Sequence, residues 1–185
     1  MKIAILGFGN LIKIKSKNLS IGKWQQSGPT LPLEFSRISK DGRLALVIDQ
    51  KNGTDNTVFF ALSRCKSLKN AVDQFQKHEK INFNRVGILD IKSKLQSECV
   101  ARRPKILLQI YSWAKDNKID AVIWNDLGVK FKSKVGYSYS VYNAFCYLNK
   151  LAASKKKFVI KYIKSVPKEI NTVFRTQLNK LKRKA

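Results

Sequence analysis

The order of the hydrophobic patterns along the chain is the feature that most constrains its fold. Patterns typical of β-strands fill the first third of the 185 residues, and helical patterns with apolar residues three and four apart dominate the rest. Chains that separate strands from helices in this way form α+β folds, whereas a parallel sheet needs strands and helices in alternation. We therefore predict an α+β protein.

The predicted strands are separated by turn signals. Residues 2–8 form an apolar strand, and Lys40–Gly42 separates two further segments, Leu33–Ser39 and Arg43–Asp49. The Asp-Gly pair suits a tight hairpin, because glycine readily adopts a positive φ. With a last strand over Thr57–Leu62, these segments predict a β-meander.

Four amphipathic helices are predicted in the remainder of the chain. Ser67 can cap the first helix, and Pro104 suits the first turn of the second. The third is expected to end at the lysine run 155–157, and the last follows Pro167. The predicted buried stripes are, in chain order, Leu68, Ala71, Val72 and Phe75; Ile106, Ile110, Trp113 and Ala114; Val141, Ala144, Phe145, Leu148 and Leu151; and Ile170, Val173, Phe174, Leu178 and Leu181. A strand over Ile119–Trp124 separates the second helix from the third.

Charge and cysteine usage limit the classes of function. The 37 Lys and Arg residues against 12 Asp and Glu give a formal charge of +25, which attracts phosphates and other polyanions. A lysine-rich composition without functional meaning is an equally weighted alternative. Three widely spaced cysteines and one histidine argue against a disulfide framework and a zinc site. Because no apolar segment approaches the roughly 20 residues that cross a bilayer, we expect a cytoplasmic protein without a membrane span.

The first strand runs into Gly7-Phe8-Gly9, a turn at which an anionic group can bind. A dinucleotide-binding loop requires a third glycine, but Ile12 occupies that position. The nearest downstream acid, Glu34, does not follow a second βα unit. A plain turn and another kind of anion-binding loop are the two alternatives that this pattern leaves.

Several segments resemble a known superfamily. The segments LGFGNL, VFFALS and AVDQFQKHEK, in this order, resemble the γ-glutamylcyclotransferase-like (AIG2-like) superfamily. IGKWQQSGPTLPLEFSRISKDGRLALVID, DAVIWNDL and YIKSVPKEINTVFRTQL are similar to an uncharacterised bacterial branch of it. The resemblance implies a small mixed β-barrel or meander flanked by helices over residues 1–152, with a basic helical extension over 153–185. It also implies that 5-oxoproline is released from a small γ-glutamyl substrate, without a cofactor or metal.

The resemblance further implies roles for individual residues. The family's YGSL loop, which offers backbone N–H groups to an anionic substrate group, matches Phe8, Gly9, Asn10 and Leu11. Glu79 matches the catalytic glutamate. Two further candidates come from the sequence pattern and not from the resemblance. Glu34 is a second candidate carboxylate for substrate contact, although alternation with apolar neighbours favours its exposure to solvent. Trp124 is favoured as a core residue, although it ends a predicted strand and could line a pocket.

The position of Glu79 on its helix also favours a functional role. Glu79 continues the stripe of Leu68, Val72 and Phe75, since it lies eleven residues after Leu68 and only about 20° from its direction at roughly 100° per residue. A carboxylate partly removed from water suits acid–base chemistry near neutral pH. The alternative is that the helix frays before Glu79, whose side chain then reaches water or a neighbouring cation.

The basic end of the chain suggests a rival function. After Asp126 the only acid is Glu169, and lysines and arginines are interleaved with tyrosines, a mixture suited to phosphates and stacked bases. The candidates for contact with nucleic acid are Lys155, Lys156, Lys157, Lys161 and Arg175. A solvated lysine face with inward tyrosines is the structural alternative. Nucleic-acid binding and a partner-directed role as a secreted effector are thus the alternative functions.

Overall fold

The computed structural model describes residues 1–13, 19–93, 95–96 and 103–182. These residues form strands and helices in an α+β arrangement, as the sequence predicts. They divide into two compact units, Met1–Leu31 with Thr57–Leu127 and Pro32–Asn56 with Gly128–Ala185. This division differs from the ranges 1–152 and 153–185, which describe a family domain with its extension and stay a prediction.

The strands and helices are numbered here in chain order. They are β1 (Ile3–Gly7), β2 (Thr30–Ile38), β3 (Leu44–Ile48), β4 (Thr54–Thr57), β5 (Phe59–Leu62), α1 (Leu68–Glu79), β6 (Val86–Asp90), β7 (Leu95–Gln96), α2 (Pro104–Asp116), β8 (Ala121–Asn125), α3 (Lys132–Val135), α4 (Val141–Lys150), α5 (Ala153–Ser165) and α6 (Val173–Lys182). In the part of the chain that the structure describes, no helix is long and apolar enough to span a membrane.

The first unit contains a five-stranded sheet in the order β5, β1, β8, β6, β7. Strand β1 lies between β5, to which it is antiparallel, and β8, to which it is parallel. A three-stranded sheet in the order β3, β2, β4 contains the predicted hairpin, whose turn includes Gly42 at a φ of 79°. The predicted meander is therefore wrong beyond this hairpin, because β1 pairs with distant strands, and neither sheet closes into a barrel.

Helices cover both faces of the five-stranded sheet. On one face, Ile5 and Ile123 join Val72 and Phe75 of α1 in a continuous apolar core. On the other face, Phe60 lies beside Leu6 and its ring centroid is 5.0 Å from that of Trp113 in α2. The first unit thus has a helix–sheet–helix arrangement.

Aromatic side chains form much of the core of the second unit. The ring of Phe35 in β2 lies 6.2 Å from that of Phe174 in α6 and 6.3 Å from that of Tyr162 in α5. Phe145 of α4 lies 4.8 Å from Phe174. Phe174 therefore connects the sheet with the helices that follow it.

Two of the predicted helix ends are confirmed and two are wrong. The Ser67 hydroxyl caps α1 by accepting a hydrogen bond from the backbone N–H of Asn70, and Pro104 begins α2. The third predicted helix ends at Lys150 and not at the lysine run, because Leu151 and Ala152 are extended and a new helix, α5, carries that run. The last helix begins only after Thr172. Two members of its predicted stripe, Val173 and Leu181, are exposed.

Candidate functional site

Glu79 is the last residue of α1, so the helix extends to the residue that the sequence selects as catalytic. The chain turns immediately afterwards, because Lys80 adopts a left-handed conformation with a φ of 53°. Its backbone N–H donates to the carbonyl of Gln76 and ends the helix. The side chain of Glu79 is 19% exposed and thus partly removed from water.

The carboxylate of Glu79 is held by a side chain from the sheet. The side-chain amide of Asn125, at the end of β8, donates to Glu79 Oε2 at 2.8 Å. The backbone N–H of Leu127 donates to Asn125 Oδ1 at 3.1 Å, which directs the amide nitrogen toward Glu79. The other carboxylate oxygen, Oε1, lies 3.9 Å from Nε2 of His78. The two oxygens of Glu79 therefore have different surroundings.

The glycine turn leaves the sheet at the same edge as Asn125. Strands β1 and β8 are parallel, with Ile5 beside Ile123, so both run toward the same edge of the sheet, where β1 ends at Gly7 and β8 ends at Asn125. A Cβ atom on Gly7 would lie 2.8 Å from the Trp24 ring, and glycine is therefore required for this close packing. The turn and the partner of Glu79 thus belong to one edge of the first unit.

Two residues of the turn are buried and two are partly exposed. Phe8 and Leu11 are buried, so they fix the turn to the core. Gly9 and Asn10 are partly exposed, and Gly9 precedes a short 3₁₀ turn over Asn10–Ile12. The backbone of Gly9 and Asn10 is thus the part of the predicted loop that a small molecule could approach.

Trp124 is fully buried and packs across Gly87 of β6, where a Cβ atom would come within 2.2 Å of the indole. Its Nε1 donates to the carboxylate of Asp126 at 3.3 Å, and Arg103 also pairs with that carboxylate. This buried group links β8 to the start of α2. Trp124 is thus a core residue, which is the interpretation that the sequence favours over a place in a substrate pocket.

Glu34 belongs to the second unit and is completely buried, so the expectation that it faces solvent is wrong. Its carboxylate accepts hydrogen bonds from the backbone N–H groups of Phe35 at 2.7 Å and Phe174 at 3.2 Å. Burial raises the pKa of Glu34, and the hydrogen bonds from Phe35, Thr172 and Phe174 counteract this only in part. Burial and the nearby Glu34 charge also raise the pKa of the Tyr139 hydroxyl.

The basic residues predicted to contact phosphate occupy different environments. Arg175 donates from its guanidinium to the carbonyls of Val166, Pro167 and Ile170, so its donors are used within the fold. Lys155 packs against Gly42. The others, Lys156, Lys157 and Lys161, lie on one face of α5.

Sequence reasoning missed Asn125 as the partner of Glu79. The signal was the segment Trp124-Asn125-Asp126, in which polar residues follow an apolar strand. Polar residues at the carboxyl ends of parallel strands are candidates for a site, but the parallel pairing of β1 with β8 could not be read from local patterns. Within the described residues, no three His, Cys, Asp or Glu side chains are grouped so that they could hold a metal ion.

Comparison with known proteins yields no relative: no family model, no curated protein and no solved structure matches the chain.

Proposed function

We propose that the protein is a γ-glutamylcyclotransferase-like enzyme that releases 5-oxoproline from a γ-glutamyl compound. The observation that supports this proposal is the hydrogen bond between Glu79 and Asn125 at the edge where the glycine turn leaves β1. Through this bond, a carboxylate that could serve as general acid and base lies at the same edge of the sheet as a backbone turn. Those are the two parts that the resemblance to the superfamily requires.

The reaction is an intramolecular acyl transfer. The nitrogen of the substrate's neutral α-amino group attacks the γ-carbonyl carbon and forms a five-membered ring, and Glu79 takes one proton from that nitrogen as the bond forms. The bond between that carbon and the leaving nitrogen breaks, and Glu79 returns the proton to the leaving amine. Because both reacting groups belong to one molecule, ring closure has a high effective molarity.

The surroundings of Glu79 suit this cycle. Asn125 holds Oε2, so the carboxylate keeps one orientation while Oε1 accepts and returns the proton. The backbone N–H groups at Gly9 and Asn10 would hold the substrate carboxylate or the oxyanion that forms on the γ-carbonyl oxygen. Preorganised donors of this kind stabilise developing charge, because they need no rearrangement during the reaction.

The test is a comparison of the unaltered protein with Glu79→Gln on a panel of γ-glutamyl amino acids and γ-glutamyl amines, with 5-oxoproline as the product measured. We expect Glu79→Gln to lower turnover by about 10²–10⁴-fold, because glutamine cannot exchange the proton. Circular dichroism of the variant should be unchanged, since the glutamine oxygen can still accept from Asn125.

Asp73→Asn is the matched control, because Asp73 is an exposed carboxylate on the same helix. It should retain full turnover. Failure of the unaltered protein to release 5-oxoproline from every member of the panel would overturn the proposal. Equal turnover by the Glu79→Gln variant would overturn the role of Glu79.

A further inference from the structure

One face of α5 carries a row of lysines beside a shallow groove. The groove has a volume of about 570 Å³ and is lined by Ala153, Lys156, Lys157, Ile160, Lys161 and Lys164. These residues are three or four positions apart, so they form a single stripe along the helix. We call this stripe the lysine face.

The positive charge of the lysine face is not neutralised by carboxylates. Among the described residues, none of its four ammonium groups lies within 4.0 Å of an Asp or Glu oxygen. Lys156 donates instead to the neutral side chain of Asn149 at 2.8 Å. Residues 128–185 contain 15 lysines and arginines but only one acid, Glu169. The face therefore presents a net positive field to whatever approaches it.

Another side of α5 packs into the fold, so the helix is not basic all round. Val159 and Ile163 are buried, and they attach the helix to the core of the second unit. Lys155 lies outside the stripe, with its amine 6.0 Å from the ring of Phe158. The lysine face is thus the side of a firmly packed helix, and its spacing is fixed by that helix.

The chemistry of the face favours a phosphate backbone over a membrane. A helix that binds in a membrane interface needs large apolar side chains to insert, whereas the apolar part of this face consists of Ala153, Ile160 and lysine stems. Lys156 and Lys164 are eight residues apart, about 12 Å along the helix axis at 1.5 Å per residue. That length corresponds to roughly three to four steps of a nucleic-acid strand at 3.4 Å each.

We propose that the lysine face of α5 binds the sugar–phosphate backbone of nucleic acid, without sequence preference. The binding is independent of Glu79 and of any cyclotransferase activity. It goes beyond the residues selected from the sequence, because it adds Lys164 and leaves out Lys155 and Arg175.

The test measures binding of the full chain to a fluorescein-labelled 20-base-pair DNA duplex by fluorescence anisotropy, between 50 and 200 mM NaCl. The variant replaces Lys156, Lys157, Lys161 and Lys164 with glutamine. Four lost phosphate contacts should reduce the slope of log K against log salt concentration by about 3.6. At 100 mM NaCl we expect affinity to fall at least tenfold, and Glu79→Gln should bind like the unaltered protein.

A charge-matched control replaces Lys66, Lys69, Lys105 and Lys115, four exposed lysines of the first unit, with glutamine. This control should retain most of the affinity and most of the slope. Equal losses in the two quadruple variants would overturn the proposal, since total charge and not the lysine face would then set binding. Absence of binding to the duplex at 50 mM NaCl would overturn it as well. The proposal would also be overturned if the protein bound phosphatidylserine vesicles more tightly than DNA and the lysine-face variant lost this binding to vesicles.

Discussion

The carboxylate of Glu34 is buried in the second unit, where it accepts hydrogen bonds from the backbone of its own strand and from the first turn of α6. The Thr172 hydroxyl accepts from Arg175 N–H at the same helix end. A negative charge at a helix N-terminus is favourable, but the loss of hydration opposes it. Since burial dominates, the pKa of Glu34 is raised.

The raised pKa has a consequence for stability that can be measured. The folded protein binds the Glu34 proton more tightly than the unfolded chain, so the free energy of unfolding falls as pH rises from the ordinary glutamate value of 4.5 to the raised pKa. Above that pKa the contribution is constant. Glu34→Gln should lack this decrease, and at low pH it should be less stable by about 1 kcal/mol, because glutamine has only one acceptor oxygen.

Urea unfolding of Glu34→Gln and the unaltered protein over a pH series measures this difference. Asp55→Asn, at an exposed carboxylate of β4, should keep the pH dependence of the unaltered protein. Parallel pH profiles for Glu34→Gln and the unaltered protein would contradict the assignment.

Glu34 also illustrates what local patterns cannot predict at single positions. Leu33 and Phe35 are buried as expected, but the intervening Glu34 is buried too, since the first turn of α6 covers it. Alternation predicts two different faces and assumes that one of them meets water. Whether Glu34 meets water is decided by its contact with Phe174, which lies 140 residues away in the chain.

At the level of elements, α1 is followed directly by a residue that is poorly suited to its conformation. Lys80 is left-handed, with φ and ψ of 53° and 45°. For a residue with a Cβ atom this conformation costs roughly 1–2 kcal/mol, whereas glycine adopts it freely. The strain lies directly after the proposed catalytic residue.

Replacement of Lys80 by glycine should therefore raise the free energy of unfolding by roughly 1 kcal/mol. Chemical denaturation is the measurement. Lys77→Gly is the matched control, because the same substitution inside α1 should lower the free energy of unfolding by up to about 1 kcal/mol. Destabilisation by both substitutions would contradict a strained helix end.

The sequence predicted those features of helices and strands that depend on residues close together in the chain. Ser67 and Pro104 mark helix starts because they act on backbone groups within one turn. The pairing of β1 with β8 joins residues 118 positions apart, and no local pattern encodes it. The Glu79–Asn125 contact depends on that pairing, which is why Glu79 was selected without its partner.

At the scale of the whole molecule, a formal charge of +25 opposes compact folding through repulsion between like charges. Raising NaCl from 0.01 to 0.1 M shortens the Debye length from about 30 to about 10 Å and screens that repulsion. We expect stability to increase over this range. Each 1 kcal/mol gained would raise Tm by roughly 2–4 °C.

Thermal unfolding across the salt series tests this expectation. The quadruple lysine-face variant has a formal charge of +21, that is +25 less 4, so its gain in Tm should be smaller. If the Tm of the unaltered protein were unchanged or lower at 0.1 M NaCl, the expected stabilisation by salt would be contradicted.

The place of β1 between β5 and β8 sets the order in which its two edges can pair during synthesis. One edge of β1 can pair when β5 emerges from the ribosome, but the other edge waits for β8. At 5–20 residues per second, the 118 residues between Ile3 and Ala121 take roughly 6–24 s to translate. During the later part of this interval the nascent chain carries an apolar strand with one open hydrogen-bonding edge, a form prone to aggregation. Fragments truncated before β8 would keep that edge permanently.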